Sequence, residues 1–235
     1  MTATPTVEDG AESPSRGAED LARSALRIAR RFSRGASLWS VAPARVDHAR
    51  HVAVEFVHPV VVGKRALPAE ALVDADPVAD VRRRADPGDI VIGIGPGDDP
   101  TLIEIARRAP AWGVEMFWIG WGARPPGESS ATPLWLADGD EVSIVRSYHL
   151  LWELTHVCFE QPDVLGSGDD PPVSCAVCAD DLSLAEVAEI EPGAAAVRMA
   201  SGRGSVDTSL VGPVSVGDLL LVHAGVALRS LDEAR

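Results

Sequence analysis

The sequence predicts an α/β unit, an open parallel sheet flanked by helices, followed by a small β-barrel. Strand-like and helix-like apolar periods alternate up to residue 160, which is typical of parallel sheets with helical crossovers. After residue 173, short alternating segments recur between glycine-containing turns, which is typical of a barrel. We therefore expect a disordered tail at 1–17, the α/β unit at 18–160, a linker at 161–173 and the barrel at 174–235.

The elements of the first unit follow from their apolar patterns. One face of a helix starting at residue 18 is apolar, and the β-branched run at 89–94 suits a strand buried on both faces. Asp98 or Asp99 is expected to cap the next helix, which has Pro100 near its start. We predict strands at 37–41, 89–94, 115–119 and 133–136, and helices at 18–32, 46–57, 100–109 and 142–160.

The second unit is predicted from shorter segments. Strands are expected at 186–190, 194–200, 205–210 and 218–223, and a closing helix at 226–234. All six tryptophans lie before residue 153, so valine, leucine and alanine must pack the barrel.

The charge of the chain excludes several classes of function. There are 21 Lys and Arg against 35 Asp and Glu, a formal charge of -14 at pH 7. Such a charge repels phosphate backbones and anionic lipids, so we expect no nucleic-acid or membrane partner. The sequence shows neither an apolar run long enough to span a bilayer nor a secretory signal, and its three cysteines are an odd number. We therefore expect a cytoplasmic protein.

Two cysteines and one histidine of the second unit are candidate metal ligands. Cys175 and Cys178 form a C-x-x-C pair, whose thiolates can share one soft metal ion. His223 ends a predicted strand, and imidazole is a common nitrogen ligand. A closed zinc site would need further ligands nearby, so an open site for a metal in transit fits this set better. Two structural thiols and a core histidine remain the alternative.

The stretch 216–228 (VGDLLLVHAGVAL), followed by Leu231-Asp-Glu233, resembles the HypC/HupF family of [NiFe]-hydrogenase maturation chaperones. The resemblance implies an OB-like barrel that works with a HypD-like protein to hold iron with its cyanide and carbonyl ligands. It also implies delivery of that iron to the hydrogenase large subunit. The family's essential cysteine and histidine correspond here to Cys178 (or Cys175) and His223. The family's cysteine usually follows the initiator methionine, whereas here it is internal and doubled.

A second set of candidate ligands lies in the segment 47–58. His48, His51, Glu55 and His58 recur at helical spacing along one stripe, and His51 and Glu55, four residues apart, could grip a divalent metal. His149 on the last predicted helix could join His51. A polar face at a subunit interface is the alternative interpretation.

This segment, with 62–68 and 88–94, resembles the SIS-domain phosphoheptose isomerases. The resemblance implies a SIS-like sheet, zinc at His51 and Glu55, and assembly into a homo-oligomer. The family's phosphate loops are rich in glycine and serine, whereas here they read 42–45 (APAR) and 95–100 (GPGDDP). Proline lacks the backbone N–H that would donate a hydrogen bond to phosphate. The aspartates repel phosphate by about 4 kcal/mol per charge at 4 Å and an effective dielectric constant near 20. We expect a maturation factor, with a metal-dependent sugar-phosphate isomerase or sugar-phosphate-binding protein as the alternative.

Overall fold

The computed structural model describes residues 14–125, 130–166 and 182–232. Its first unit is built on five parallel strands in the order β2-β1-β3-β4-β5. These are β1 (Leu38–Val41), β2 (Ala69–Ala71), β3 (Ile90–Pro96), β4 (Glu115–Trp121) and β5 (Thr132–Trp135). The central strand β3 has six of its seven residues buried, which explains its β-branched apolar sequence.

Helices cover both faces of this sheet. They are α1 (Pro14–Ser33), α2 (Val46–Val57), α3 (Pro77–Arg84), α4 (Pro100–Trp112), α5 (Glu141–Phe159) and α6 (Pro162–Gly166). Helices α1, α2 and α5 pack on one face and α3 and α4 on the other, which gives two separate apolar cores. The predicted open α/β sheet is therefore confirmed. No helix among the described residues has the length and apolar character of a membrane span.

The second unit is a closed barrel with the strand order β10-β8-β7-β6-β9. Its strands are β6 (Ser183–Glu191), β7 (Ala194–Met199), β8 (Gly202–Asp207), β9 (Leu219–His223) and β10 (Val226–Ser230). Valine, leucine and alanine form its buried core, as the composition predicts. The predicted helix at 226–234 is wrong over its described part. Strand β10 pairs antiparallel with β9 and closes the barrel beside β8, so ladder formation overrides local helix propensity.

Further elements differ from the sequence prediction. Helix α1 begins at Pro14, inside the tail predicted as disordered at 1–17, and β8 ends at Asp207 where a strand at 205–210 was predicted. Strand β2 was not predicted, since three residues are too few for a periodic pattern. Helix α3 was not predicted, because its eight residues, three of them arginine, are too few to show an apolar period. A side-chain cap begins it, as the Asp76 carboxylate accepts the N–H of Ala79 at 3.0 Å. The predicted linker begins with the short helix α6.

The two units touch at the end of α4. Gly113 follows this helix with φ of 70°, in the left-handed region that favours glycine. A Cβ at this position would lie 3.0 Å from the Cβ of Pro87 and 3.1 Å from the backbone of Ala200, between β7 and β8. The absence of a side chain therefore lets the backbones of the two units approach each other directly.

Candidate functional site

The groove between α2 and α5 brings three potential metal ligands together. His51 Nε2 lies 3.2 Å from Glu55 Oε1, and His149 Nε2 lies 3.5 Å from the same oxygen. One ligand atom from each residue lies within 4.8 Å of the others. Ligands bound tetrahedrally at zinc distances are separated by about 3.4 Å. Two imidazoles and one carboxylate at these separations therefore fit a divalent cation with a further position open.

Hydrogen bonds orient both imidazoles. His149 Nδ1 donates to the backbone carbonyl of Val145 at 2.7 Å, which leaves Nε2 with its lone pair toward Glu55. His51 Nδ1 lies 3.1 Å from the hydroxyl of Tyr148. Burial and the nearby carboxylates raise the pKa of Tyr148 to about 12, so its hydroxyl stays protonated near neutral pH. Tyr148 can donate to or accept from His51, and so accommodates the imidazole tautomer that metal binding requires.

The other histidines of the first unit lie outside this cluster. His48 is buried, with Nε2 3.3 Å from Glu141 Oε2. His58 follows the end of α2 and is exposed. His156 is buried, and its two nitrogens lie 2.9 Å and 3.0 Å from backbone carbonyls. The predicted stripe on α2 therefore contributes His51 and Glu55 to the cluster, and α5 contributes His149.

His223 of the barrel is half-buried at the end of β9. Strand β6 runs antiparallel beside it, with Ser183 opposite Val222. The position just before β6 is therefore the neighbour of His223 across the ladder. Cys175 and Cys178 lie outside the described residues, a few positions upstream of that point.

The loop after β3 differs from a phosphate cradle. Asp99 caps α4, and its carboxylate accepts the N–H groups of Thr101 and Leu102, both at 3.0 Å. The Asp99 carboxylate thus occupies the N-terminus of α4, where the free N–H groups would otherwise attract an anion. The indole of Trp135 covers the same edge of the sheet, 2.8 Å from where a Cβ of Gly97 would stand.

The sequence did not reveal a buried charge cluster where the barrel meets α3 and α4. The Glu186 side chain on β6 is 2% exposed. Its carboxylate lies 3.1 Å from Arg82 Nε and 2.7 Å from Arg108 Nη1, and accepts the indole N–H of Trp112 at 2.9 Å. Arg198, opposite Glu186 on β7, donates to the carbonyls of Arg82 and Ala85. We call Arg82, Arg108, Trp112, Glu186 and Arg198 the seam.

Comparisons with known proteins give one family match and several fold likenesses. Residues 185–235 match the model of the HupF/HypC family. A search of curated protein sequences gave no match. The fold resembles a phosphoheptose isomerase from Francisella tularensis, with 14% identity and a TM-score of 0.51, over 66% of this chain and 91% of that one.

Two further solved structures are more distant. The C-terminal domain of glucosamine-fructose-6-phosphate aminotransferase from Francisella tularensis has 17% identity and a TM-score of 0.40, over 66% of this chain and 43% of that one. HobA from Helicobacter pylori has 14% identity and a TM-score of 0.38, over 61% of this chain and 78% of that one. The chain thus joins an α/β unit with the fold seen in a phosphoheptose isomerase to a carboxyl-terminal segment that matches the HupF/HypC family.

Proposed function

We propose that this chain acts in the maturation of [NiFe]-hydrogenases and that its barrel handles the iron centre as cargo. The match of residues 185–235 to the HupF/HypC family supports this role at the level of the family. The observation that carries the proposal for this chain is the pairing of β6 with β9, which brings the entry of the barrel beside His223.

Chain length allows both cysteines to reach the histidine. Cys178 precedes Leu182 by four residue steps, and such a segment spans at most about 14 Å. The seven steps from Cys175 span at most about 25 Å. A thiolate and an imidazole that leave coordination positions open would permit exchange of the iron, with its cyanide and carbonyl ligands, between proteins. A HypD-like protein and the hydrogenase large subunit are the proposed donor and acceptor.

The decisive experiment measures iron in protein purified without oxygen. We expect wild-type protein to carry iron with the infrared bands of bound cyanide and carbonyl. The double variant Cys175→Ala/Cys178→Ala and His223→Ala should lose both the iron and the bands. Cys158→Ala, on α5 of the other unit, is the matched control and should retain them. Unchanged iron in the double variant would reject the proposal.

A second candidate function belongs to the α/β unit. The cluster of His51, Glu55 and His149 favours a bound zinc ion there. This zinc is also what the sugar-phosphate alternative requires. Asp99 and Trp135, however, occupy the edge of the sheet where a phosphate would be expected. We therefore propose that the α/β unit binds zinc without acting as a sugar-phosphate isomerase.

Metal analysis and calorimetry distinguish a unit that only binds zinc from one that acts as a sugar-phosphate isomerase. Zinc added to the apoprotein of the Cys175→Ala/Cys178→Ala variant, which lacks the thiolates of the barrel, should bind in a one-to-one ratio. His149→Ala in the same background should weaken this binding at least about tenfold. His58→Ala removes an exposed histidine near the same helix and should change nothing. Saturable binding of fructose 6-phosphate that disappears in His51→Ala would instead favour the isomerase-like alternative.

A further inference from the structure

A large cavity lies at the amino-terminal ends of the parallel strands. Its volume is about 790 Å³, which is within the usual size range of sites for small organic ligands. Helix α1, the turn before β1, the segment 84–89 and the first residue of β4 line it. The metal-ligand cluster in the groove between α2 and α5 does not contribute to the lining. We call this space the arginine cavity.

Five arginines of α1 and the turn after it face the arginine cavity. Their positions form one helical stripe, opposite the apolar face that packs into the core of the unit. They are Arg23, Arg27, Arg30, Arg31 and Arg34. A sixth, Arg84, enters from the end of α3, and its guanidinium lies 5.2 Å from the ring centroid of Trp39.

This stripe places like charges beside one another. Arg23 and Arg27 are four residues apart, as are Arg27 and Arg31, and like charges at this spacing destabilise a helix. Arg30 and Arg31 lie in the last turn of α1, where the helix dipole favours cations. The dipole does not account for Arg23 and Arg27, which lie earlier. An anion in the arginine cavity would reduce the repulsion along the stripe, in addition to the ion pairs of Arg23 with Asp20 and of Arg27 with Glu115.

Carboxylates of the lining offset only part of this charge. Glu115 forms ion pairs with Arg27 and Arg31. The Asp89 carboxylate accepts the backbone N–H of Ser37 at 2.8 Å and the indole N–H of Trp39 at 2.9 Å. With Asp86, the lining holds six arginines and three carboxylates.

Among the described residues, Asp20 and Glu70 also contact Arg23 and Arg84 from outside the lining. The lining itself holds twice as many arginines as carboxylates. In the whole chain, by contrast, carboxylates outnumber Lys and Arg by 35 to 21. The arginine cavity therefore concentrates guanidinium groups in a strongly acidic protein.

We propose that the arginine cavity binds a small polyanion, whose charges are carried by phosphate or carboxylate groups. Guanidinium groups bind both groups through paired hydrogen bonds and remain charged at all relevant pH values. The volume suits a metabolite rather than a macromolecule. This site is independent of the proposed roles of His223 and of the cluster around Glu55.

Calorimetry of the full chain at low ionic strength tests the proposal, with inorganic pyrophosphate and citrate as the two probes. We expect saturable binding of at least one probe, weakened by added salt. Tighter binding of pyrophosphate would indicate a phosphate ligand, and tighter binding of citrate a polycarboxylate. The double variant Arg23→Gln/Arg27→Gln should bind the preferred probe about tenfold more weakly or worse.

Arg50→Gln is a closely matched control. Arg50 pairs with Asp47 three residues earlier and its side chain is 58% exposed, while Arg23 pairs with Asp20 at the same spacing and is 63% exposed. Arg23→Gln alone provides a test if the double variant does not fold. Failure of both probes to bind, or equal losses in Arg50→Gln and the cavity variants, would overturn the proposal.

Discussion

The seam and the arginine cavity use the same residue type in opposite ways. At the seam, Arg82 and Arg108 converge on the buried carboxylate of Glu186, and Arg198 donates to two backbone carbonyls. In the arginine cavity, six arginines face three carboxylates and a volume large enough for a ligand. The comparison shows that partners and burial, rather than the number of arginines, distinguish a structural contact from a candidate binding site. Substitutions at both places can test this distinction.

The largest effect is expected at Glu186. Glu186→Gln keeps the shape of the side chain but leaves Arg82 and Arg108 without their buried counter-charge, so the free energy of unfolding should fall by about 3–5 kcal/mol. Urea denaturation followed by tryptophan fluorescence measures this loss. Glu189→Gln, at an exposed position of the same strand, should be close to neutral. Equal stabilities of the two variants would contradict the structural role of the seam.

A smaller loss is expected when the indole donor at the seam is removed. Trp112→Phe retains an aromatic ring but leaves the Glu186 carboxylate without one hydrogen bond, which should cost about 1.5–3 kcal/mol. Thermal and urea unfolding should both report it. The control is Trp39→Phe, because Trp39 also donates to a carboxylate but does so in the arginine cavity. A Trp112→Phe protein as stable as wild type would show that the arginines alone hold the seam.

Acid should weaken the ion pair between Glu104 and the seam residue Arg108 in a defined pH range. The hydrogen bond from Arg107, together with Arg108, lowers the pKa of Glu104 from 4.5 to about 2. Because the folded-state pKa is lower, the stabilisation is complete above pH 4.5 and is lost as the pH falls toward 2. The Glu104 side chain is 33% exposed, so screening reduces the contribution to about 1 kcal/mol.

Glu104→Gln should therefore flatten the dependence of the unfolding free energy on pH within that range. Urea titrations at several pH values measure the slope. Glu153→Gln, at an exposed position of α5, is the control and should leave the slope as it is in wild type. An unchanged slope in Glu104→Gln would show that other carboxylates govern acid unfolding.

The smallest effect is expected in the arginine cavity. Arg23→Gln removes a surface ion pair with Asp20 and a repulsion with Arg27, so the free energy of unfolding should change by less than about 0.5 kcal/mol. The same denaturation assay measures it beside Glu186→Gln. A loss comparable to that of Glu186→Gln would mean that the stripe on α1 is structural.

The sequence predicts local features of the fold well because they depend on local periodicity. The spacing of His51 and Glu55 places both on one face of α2, and Asp99 is expected as a helix cap. The spacing cannot tell which helix faces that pair, so the contribution of His149 depends on the packing of α5 against α2. Tyr148 is missed for the same reason.

Long-range pairing explains the main errors. The segment 226–230 contains residues that suit helices and strands alike, and the neighbouring strand β9 decides between them. Glu186 is an ordinary strand residue by pattern, yet its partners lie 74 to 104 positions earlier in the chain. Burial of a charge is a property of tertiary contacts, so no local pattern could predict the seam.

Gly113 has a consequence for how the barrel meets other proteins. A side chain at this position would adopt a strained backbone conformation and would require Pro87 and Ala200 to shift by a few tenths of an ångström. With only hydrogen there, the barrel packs directly against the end of α4. A protein that bound both units would then contact a surface shared between them, and a larger residue at this one backbone position would alter that surface.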